Sequence, residues 1–515
     1  MMKQKLLYIP LDERPCNAIY PQMMLETNQN CELITPKISI LNQKKQAADV
    51  DELWKFVFDA APESQAAILS VEMLIYGGLL PSRLHVLSAE TLQARVAKFS
   101  ELKQQFPKLK LYVSNLIMRT PQYSSSDEEP DYYGTYGAEI FRRSALNDRE
   151  MREGLNQEER DELATLNEVI PQVHVQDYET RRQVNLTVNQ AIIQLVANGV
   201  IEFLAIPQDD SAPYGYTARD QRQLVAFIQE LRLTRKIQMY PGADEVGATL
   251  LARAYNQLLN QVPKVYIATS SLGGQQLLPL YEDRPMGETA LAHILACGAI
   301  PVNSAEEADF ILGYNTPGQV MQESWDQLTA KDVTYASFRH LVFFVQQLQQ
   351  WHREGKPLAI ADCAFANGGE LALVELLDEY ELLDHVLSYK GWNTNANTLG
   401  TTLAAAMFAL WQPRTQAITK NVMYHLLEDV CYQAVVRRKI TDELLPKLGL
   451  NYFDLGTQQT EVLTQIDYDL EQLLTKLCRN SFQNYQLTHL ASFSPWNRMF
   501  EIGIEFTISN KIENN

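Results

Sequence analysis

Short apolar runs of β type recur along the chain. Each is followed by polar residues and then by a stretch with helical spacing. The runs are LLYIPL (6–11), AAILSV (66–71), KLYVSNLIM (110–118), IEFLAI (201–206), KIQMY (236–240), KVYIAT (264–269), DFILGY (309–314), LAIADC (358–363) and DHVLSY (384–389). Between them lie amphipathic stretches such as LVAFIQELRL and ATLLARAYNQLL, with apolar residues three and four apart. Strand–helix alternation of this kind means parallel sheet, because parallel neighbours need a crossover that a helix supplies. Eight or nine such units predict an α/β fold, a (β/α)8-like barrel over residues 1–414. The alternative is two stacked α/β domains, divided near Gly298–Pro301.

Residues 120–183 break the spacing. They carry SSSDEEPDYYGTYG and then a charged helical stretch, NQEERDELATLNEV, and are expected to form a long insertion after the third strand. A loop of this length is either a lid over a site or a solvated excursion. From 415 to 515 the pattern is mostly helical and ends in FEIGIEFTIS (500–509), which alternates like an edge strand. One motif recurs: Pro10-Leu11-Asp12-Glu13-Arg14-Pro15 is echoed by Pro279-Leu280-Tyr281-Glu282-Asp283-Arg284-Pro285.

Charge narrows the partners. Lys and Arg total 44 against 63 Asp and Glu, a net charge of −19. No basic stripe offsets that field, so neither nucleic acid nor an anionic membrane surface is expected as a partner. The six cysteines are scattered without a CxxC, which suits a reducing compartment. The longest uncharged stretch, Gly391 to Pro413, opens with Asn393, Thr394, Asn395, Asn397 and Thr398, a cluster no bilayer core accepts. A cytoplasmic protein, with a homo-oligomer left open, is the expectation. The eight histidines show no HxH or HExxH, and there is no GxSxG or Walker loop. No resident cofactor or metal is expected.

In parallel α/β folds chemistry collects at the carboxyl ends of strands. The residues found there are Asp12 and Arg14 after the first run, Arg119 after the third, and Asp209-Asp210 with Tyr214 after the fourth. Asp244-Glu245 follow the fifth, Asn315 a later one, and Trp392, Asn393 and Asn395 the last. Two adjacent carboxyls cannot both ionise cheaply, so one becomes a proton donor while the other stays an anion. Glycoside hydrolysis uses that division of labour. A helix cap at Asp210 or Ser211 is the competing reading, as it is for Asp244-Glu245. Arg14 either pairs locally with Asp12 and Glu13 or holds a substrate group. The amides, with an indole face, suit sugar hydroxyls and N-acetyl groups, or else form turns and a helix cap.

The motifs PLDERPCN (10–17), YGGLLPSR (76–83), QDDSAPYG (208–215), PGADE (241–245) and GWNTNANTLGT (391–401) resemble the bacterial domain-of-unknown-function family 4127 over the whole chain. The order of strand-end motifs is also similar to that of O-GlcNAcase- and hyaluronidase-type β-N-acetylhexosaminidases. That resemblance implies an acetamido-orienting role for Asp209 and a general acid–base role for Asp210. Arg14-Pro15 and Asn393 to Asn397 fall on the remaining motif positions. The expected activity is a glycoside hydrolase on N-acetylated amino sugars, working through the substrate's own acetamido group on a small carbohydrate. Two alternatives stand beside it. One is a Mg²⁺ or Mn²⁺ enzyme using Asp12, Asp209, Asp210, Asp244 and Asp362, since oxygen-rich ligand sets suit hard cations. The other is a non-catalytic sugar-binding protein.

Overall fold

In the computed structural model, which describes residues 3–511, most strands fall into two large parallel sheets. The first holds β1 (Gln4–Ile9), β2 (Cys31–Ile34), β3 (Ala66–Ser70), β4 (Lys110–Ser114), β5 (Phe203–Gln208) and β6 (Ile237–Pro241), in the order β2-β1-β3-β4-β5-β6. The second holds β7 (Lys264–Thr269), β8 (Ile300–Pro301), β9 (Phe310–Asn315), β11 (Leu358–Asp362) and β13 (Ser388–Lys390), in the order β13-β11-β9-β7-β8; β10 (Gln322–Glu323) and β12 (Phe365–Ala366) pair beside it. The α/β alternation and parallel pairing expected from the sequence are present. The ladders run as sheets of six and five, and among the described residues no ladder joins the two. β3 and β5 are buried throughout, as strands covered on both faces must be.

A helical layer separates the sheets. Helix Val246–Leu258 packs on β1, β3, β4 and β5, and on its other side meets helix Asn395–Ala409, which packs on β11 and β13. Helix Asn395–Ala409 is buried at every position, which is why its sequence carries no polar face. Gly400 makes the close approach: a Cβ there would lie 2.3 Å from Glu245 Cγ and 2.8 Å from Thr249 Oγ1.

Each sheet reverses direction at its first strand. β1 has β2 on one side and β3 on the other; β7 has β8 and β9. The recurring motif follows β1 in one sheet and β7 in the other, and in both it leads into helix, at Pro15–Ala18 and Met286–Ala296. Crevices at such reversal points are where open α/β sheets bind ligands. Gly298–Pro301, where the two-domain alternative put its break, is instead the edge of the second sheet.

β2, a four-residue strand, was not among the sequence runs, so the long insertion follows the fourth strand of the chain. It begins as irregular chain and continues as helices Tyr133–Arg152, Gln157–Val169 and Gln172–Ala197. Beyond 415, helices lead to the antiparallel pair β14 (Tyr485–Phe493) and β15 (Gly503–Asn510). Among the described residues no helix is long and apolar enough to cross a membrane.

Candidate functional site

β5 and β6 are neighbours, with Gln208 opposite Pro241, so Asp209-Asp210 and Gly242-Ala243-Asp244 leave the sheet side by side. Asp210 takes a left-handed turn at φ 44°, a conformation an aspartate tolerates better than most residues. Both carboxyls thereby reach one cavity of about 280 Å³, and each side chain is 18% exposed. Neither caps a helix: helix Tyr216–Glu230 begins beyond Gly215 with no side-chain cap.

Arginines hold the doublet. Arg83 Nη2 donates to Asp209 Oδ2 at 2.7 Å, and Arg119 Nη1 to Asp210 Oδ2 at 3.3 Å. The YGGLLPSR motif explains Arg83. After β3 a π-helical turn (Glu72–Tyr76) ends at Gly77 and Gly78, and helix Leu79–Leu84 then carries Arg83 to the doublet. Gly78 has φ 134°, and a Cβ there would meet Asn42 Cγ at 2.7 Å, so the turn admits no other residue cheaply. Burial pushes the Asp210 carboxyl up to about 7; Arg119 opposes this and Asp209 reinforces it.

Across the cavity, Arg14 Nη2 donates to Asp244 Oδ1 at 2.5 Å and Arg14 Nε to Asp12 Oδ2 at 2.8 Å; Asn17 Nδ2 also reaches both carboxylates, each at 3.0 Å. Asp244 is also pushed up to about 7, first by burial, against the pull of Arg14. Asn397 Oδ1 accepts from the amide of Asp244 at 3.2 Å. Arg14 Nη1, Asn397 Nδ2, Asp209 Oδ1, Asp210 Oδ1 and Asp244 Oδ2 have no protein partner among the described residues, and none is sealed from solvent. The cavity therefore offers both free donors and free acceptors, as a polyhydroxyl ligand requires.

Six of the twelve residues singled out from sequence line this cavity: Arg14, Arg119, Asp209, Asp210, Asp244 and Asn393. Asp12, Glu245 and Asn395 stand just behind it. Asp12 anchors Arg14. Glu245 Oε2 accepts from the amide of Ala243 at 2.9 Å, tying the loop rather than capping by side chain the helix that follows. Asn395 donates to Glu282 and accepts from Tyr314 Oη at 2.5 Å. The other three lie elsewhere. Trp392 is buried edge-on against Tyr20, ring centres 6.3 Å apart, because its hydrophobic bulk fills the helical layer. Asn315 is sealed among Asp362, Glu370 and Arg339. Tyr214 faces the insertion helices, donating to Glu153 at 2.6 Å.

Sequence reasoning missed the contribution of the chain end. The loop between β14 and β15 brings Trp496, Arg498 and Phe500 to the site. Trp496 Nε1 donates to Glu13 Oε1 at 2.6 Å, and its ring lies 4.9 Å from the Arg14 guanidinium and 4.4 Å from that of Arg498. Arg498 in turn binds Asp127 and Glu128 of the insertion. Glu128, although buried, is held well below the usual carboxylate range by Arg119, Arg498 and Arg83. Only the charge density of SSSDEEP hinted at this part of the site. Among the described residues no three His, Cys, Asp or Glu side chains are grouped as metal ligands.

Comparison with protein families matches residues 6–505 to a protein family of unknown function, DUF4127. The chain belongs to the DUF4127 family. The match covers both sheets, the insertion and most of the closing hairpin, so the cavity of this DUF4127 protein lies wholly within the family region. No curated protein matched the chain.

Proposed function

We propose that this DUF4127 protein is a glycoside hydrolase acting on N-acetylated amino sugars, with the substrate's acetamido oxygen as the internal nucleophile. The observation that carries the reading is the Asp209-Asp210 doublet. It opens onto a polar cavity, with Asp209 ion-paired to Arg83 and Asp210, despite Arg119 at 3.3 Å, pushed up to about 7 by burial. Asp210 protonates the leaving oxygen, then takes a proton from the water that opens the cyclic intermediate. Asp209 receives the acetamido N–H and stabilises the positive charge that develops as the oxygen attacks. Asn393, Asn397, Arg14 and Asp244 hold hydroxyls. Strand ends from both sheets supply the mouth that a (β/α)8-like barrel would offer, and the chemistry needs that convergence rather than any one closure of the strands. On this reading the partner is a small carbohydrate.

The test is turnover of a chromogenic β-N-acetylglucosaminide and its galacto epimer. Wild-type protein is expected to release chromophore, and Asp210→Asn to lose about 10²–10⁴-fold in rate while remaining folded. An inert wild type on both substrates, or an undiminished Asp210→Asn, contradicts the proposal.

A further inference from the structure

A general acid protonates the oxygen that joins the cleaved sugar to its leaving group. Whatever follows that oxygen therefore lies beside Asp210, on the open side of the cavity. Two partly exposed tyrosines line the same cavity as Asp210. Tyr123, from the insertion, is 49% exposed, and Tyr281, from the motif that follows β7, is 37% exposed; both line the cavity.

Both hydroxyls are within electrostatic reach of Asp210. Arg119 holds the Tyr123 hydroxyl down, but partial burial and the carboxyl groups of Asp210, Glu128 and Glu129 together push it up to about 12. The Tyr281 hydroxyl is raised by burial and by Glu323, with Asp210 and Tyr123 adding to the effect. Tyr281 is anchored, its hydroxyl donating to Glu323 Oε1 at 2.7 Å. A lone exposed tyrosine is unremarkable. Two that share one cavity with the acid, from segments far apart in the chain, offer apolar ring faces with polar edges to whatever a leaving group carries.

The geometry points to a leaving-group subsite in which Tyr123 and Tyr281 stack a second sugar ring, so that the substrate is an oligosaccharide rather than a single sugar with a small leaving group. This inference rests on the glycosidase reading of the same cavity. The ring faces cover the apolar face of a pyranose while its hydroxyls stay in water.

Calorimetry separates the two ideas. N-acetylglucosamine and its β-1,4-linked disaccharide are titrated into Asp210→Asn protein, which prevents turnover, and then into the same protein carrying Tyr123→Ala or Tyr123→Phe. The disaccharide is expected to bind at least about tenfold more tightly than the monosaccharide. Tyr123→Ala is expected to erase that advantage, with the monosaccharide affinity unchanged, and Tyr123→Phe to keep most of it. If the monosaccharide binds but the disaccharide gains nothing, or Tyr123→Ala weakens both sugars equally or neither, the subsite falls and the glycosidase reading stands. If neither sugar binds this protein or the wild type, the sugar reading falls and the subsite goes with it.

Discussion

Five influences meet at the Asp210 carboxyl: burial, Asp209 and Glu128 push it up, while Arg119 and Arg83 hold it down. Burial wins because the group is largely out of water while Arg119, at 3.3 Å, is shared with Glu128 and Glu129. A carboxyl pushed up to about 7 must be protonated for the first chemical step. The predicted pH profile of kcat/KM on a β-N-acetylglucosaminide therefore falls above about pH 7. Arg119→Gln removes the opposing charge and moves that limb to higher pH; an unmoved limb would assign it to another group. The doublet was legible in sequence because a strand ended at it. Arg83 was not, because its partner lies 126 positions away and only the paired glycines of YGGLLPSR mark the turn that delivers it. Trp392 was misleading for a general reason: an indole beside amides suits a sugar and suits a helix-packed interior equally well.

At the scale of elements, the recurring motif proved to be the sharpest clue to the architecture. Its copies follow the two strands at which the sheets reverse, and they bring Arg14 and Tyr281 to the same cavity. Sequence pattern could not give that convergence, since it depends on a helical layer whose two helices meet closely at Gly400. Gly400→Ala is predicted to cost about 1–3 kcal/mol, because the methyl meets Glu245 Cγ at 2.3 Å. A denaturant midpoint unchanged from wild type counts against that packing. The closing loop was illegible for a different reason, as its tryptophan reaches a residue 483 positions earlier. Trp496→Ala removes the stacking with Arg14 and Arg498 and the donor to Glu13. It is expected to weaken N-acetylglucosamine binding at least about tenfold, whereas Trp496→Phe, which keeps a ring, loses less. Equal losses in the two variants would deny the stacking a role.

Across the whole molecule, several buried carboxyls hold protons that the unfolded chain releases near pH 4. Glu13, Glu72, Asp210, Asp244 and Glu282 are each pushed up to about 7, with burial the largest cause in every case. The folded state therefore binds more protons than the unfolded state between about pH 4 and pH 7. Stability falls as pH rises through that window. Lys390, lowered to about 7 by burial, acts oppositely above it. Thermal scans are expected to give a higher midpoint near about pH 5 than near about pH 7, and the reverse order would contradict these burial effects. Parallel α/β pairing was readable along the chain because strand and helix periods alternate. The grouping into six and five strands was not, because it is set by which helices fit between the sheets.

The most direct measurement is a crystal structure of wild-type protein with a thiazoline analogue of the N-acetylglucosamine oxazoline intermediate. The predicted result is the ring in the cavity between Asp210 and Asn397, with the analogue's nitrogen against Asp209. Density for the analogue only outside the cavity, or a ring turned with that nitrogen away from Asp209, would contradict it.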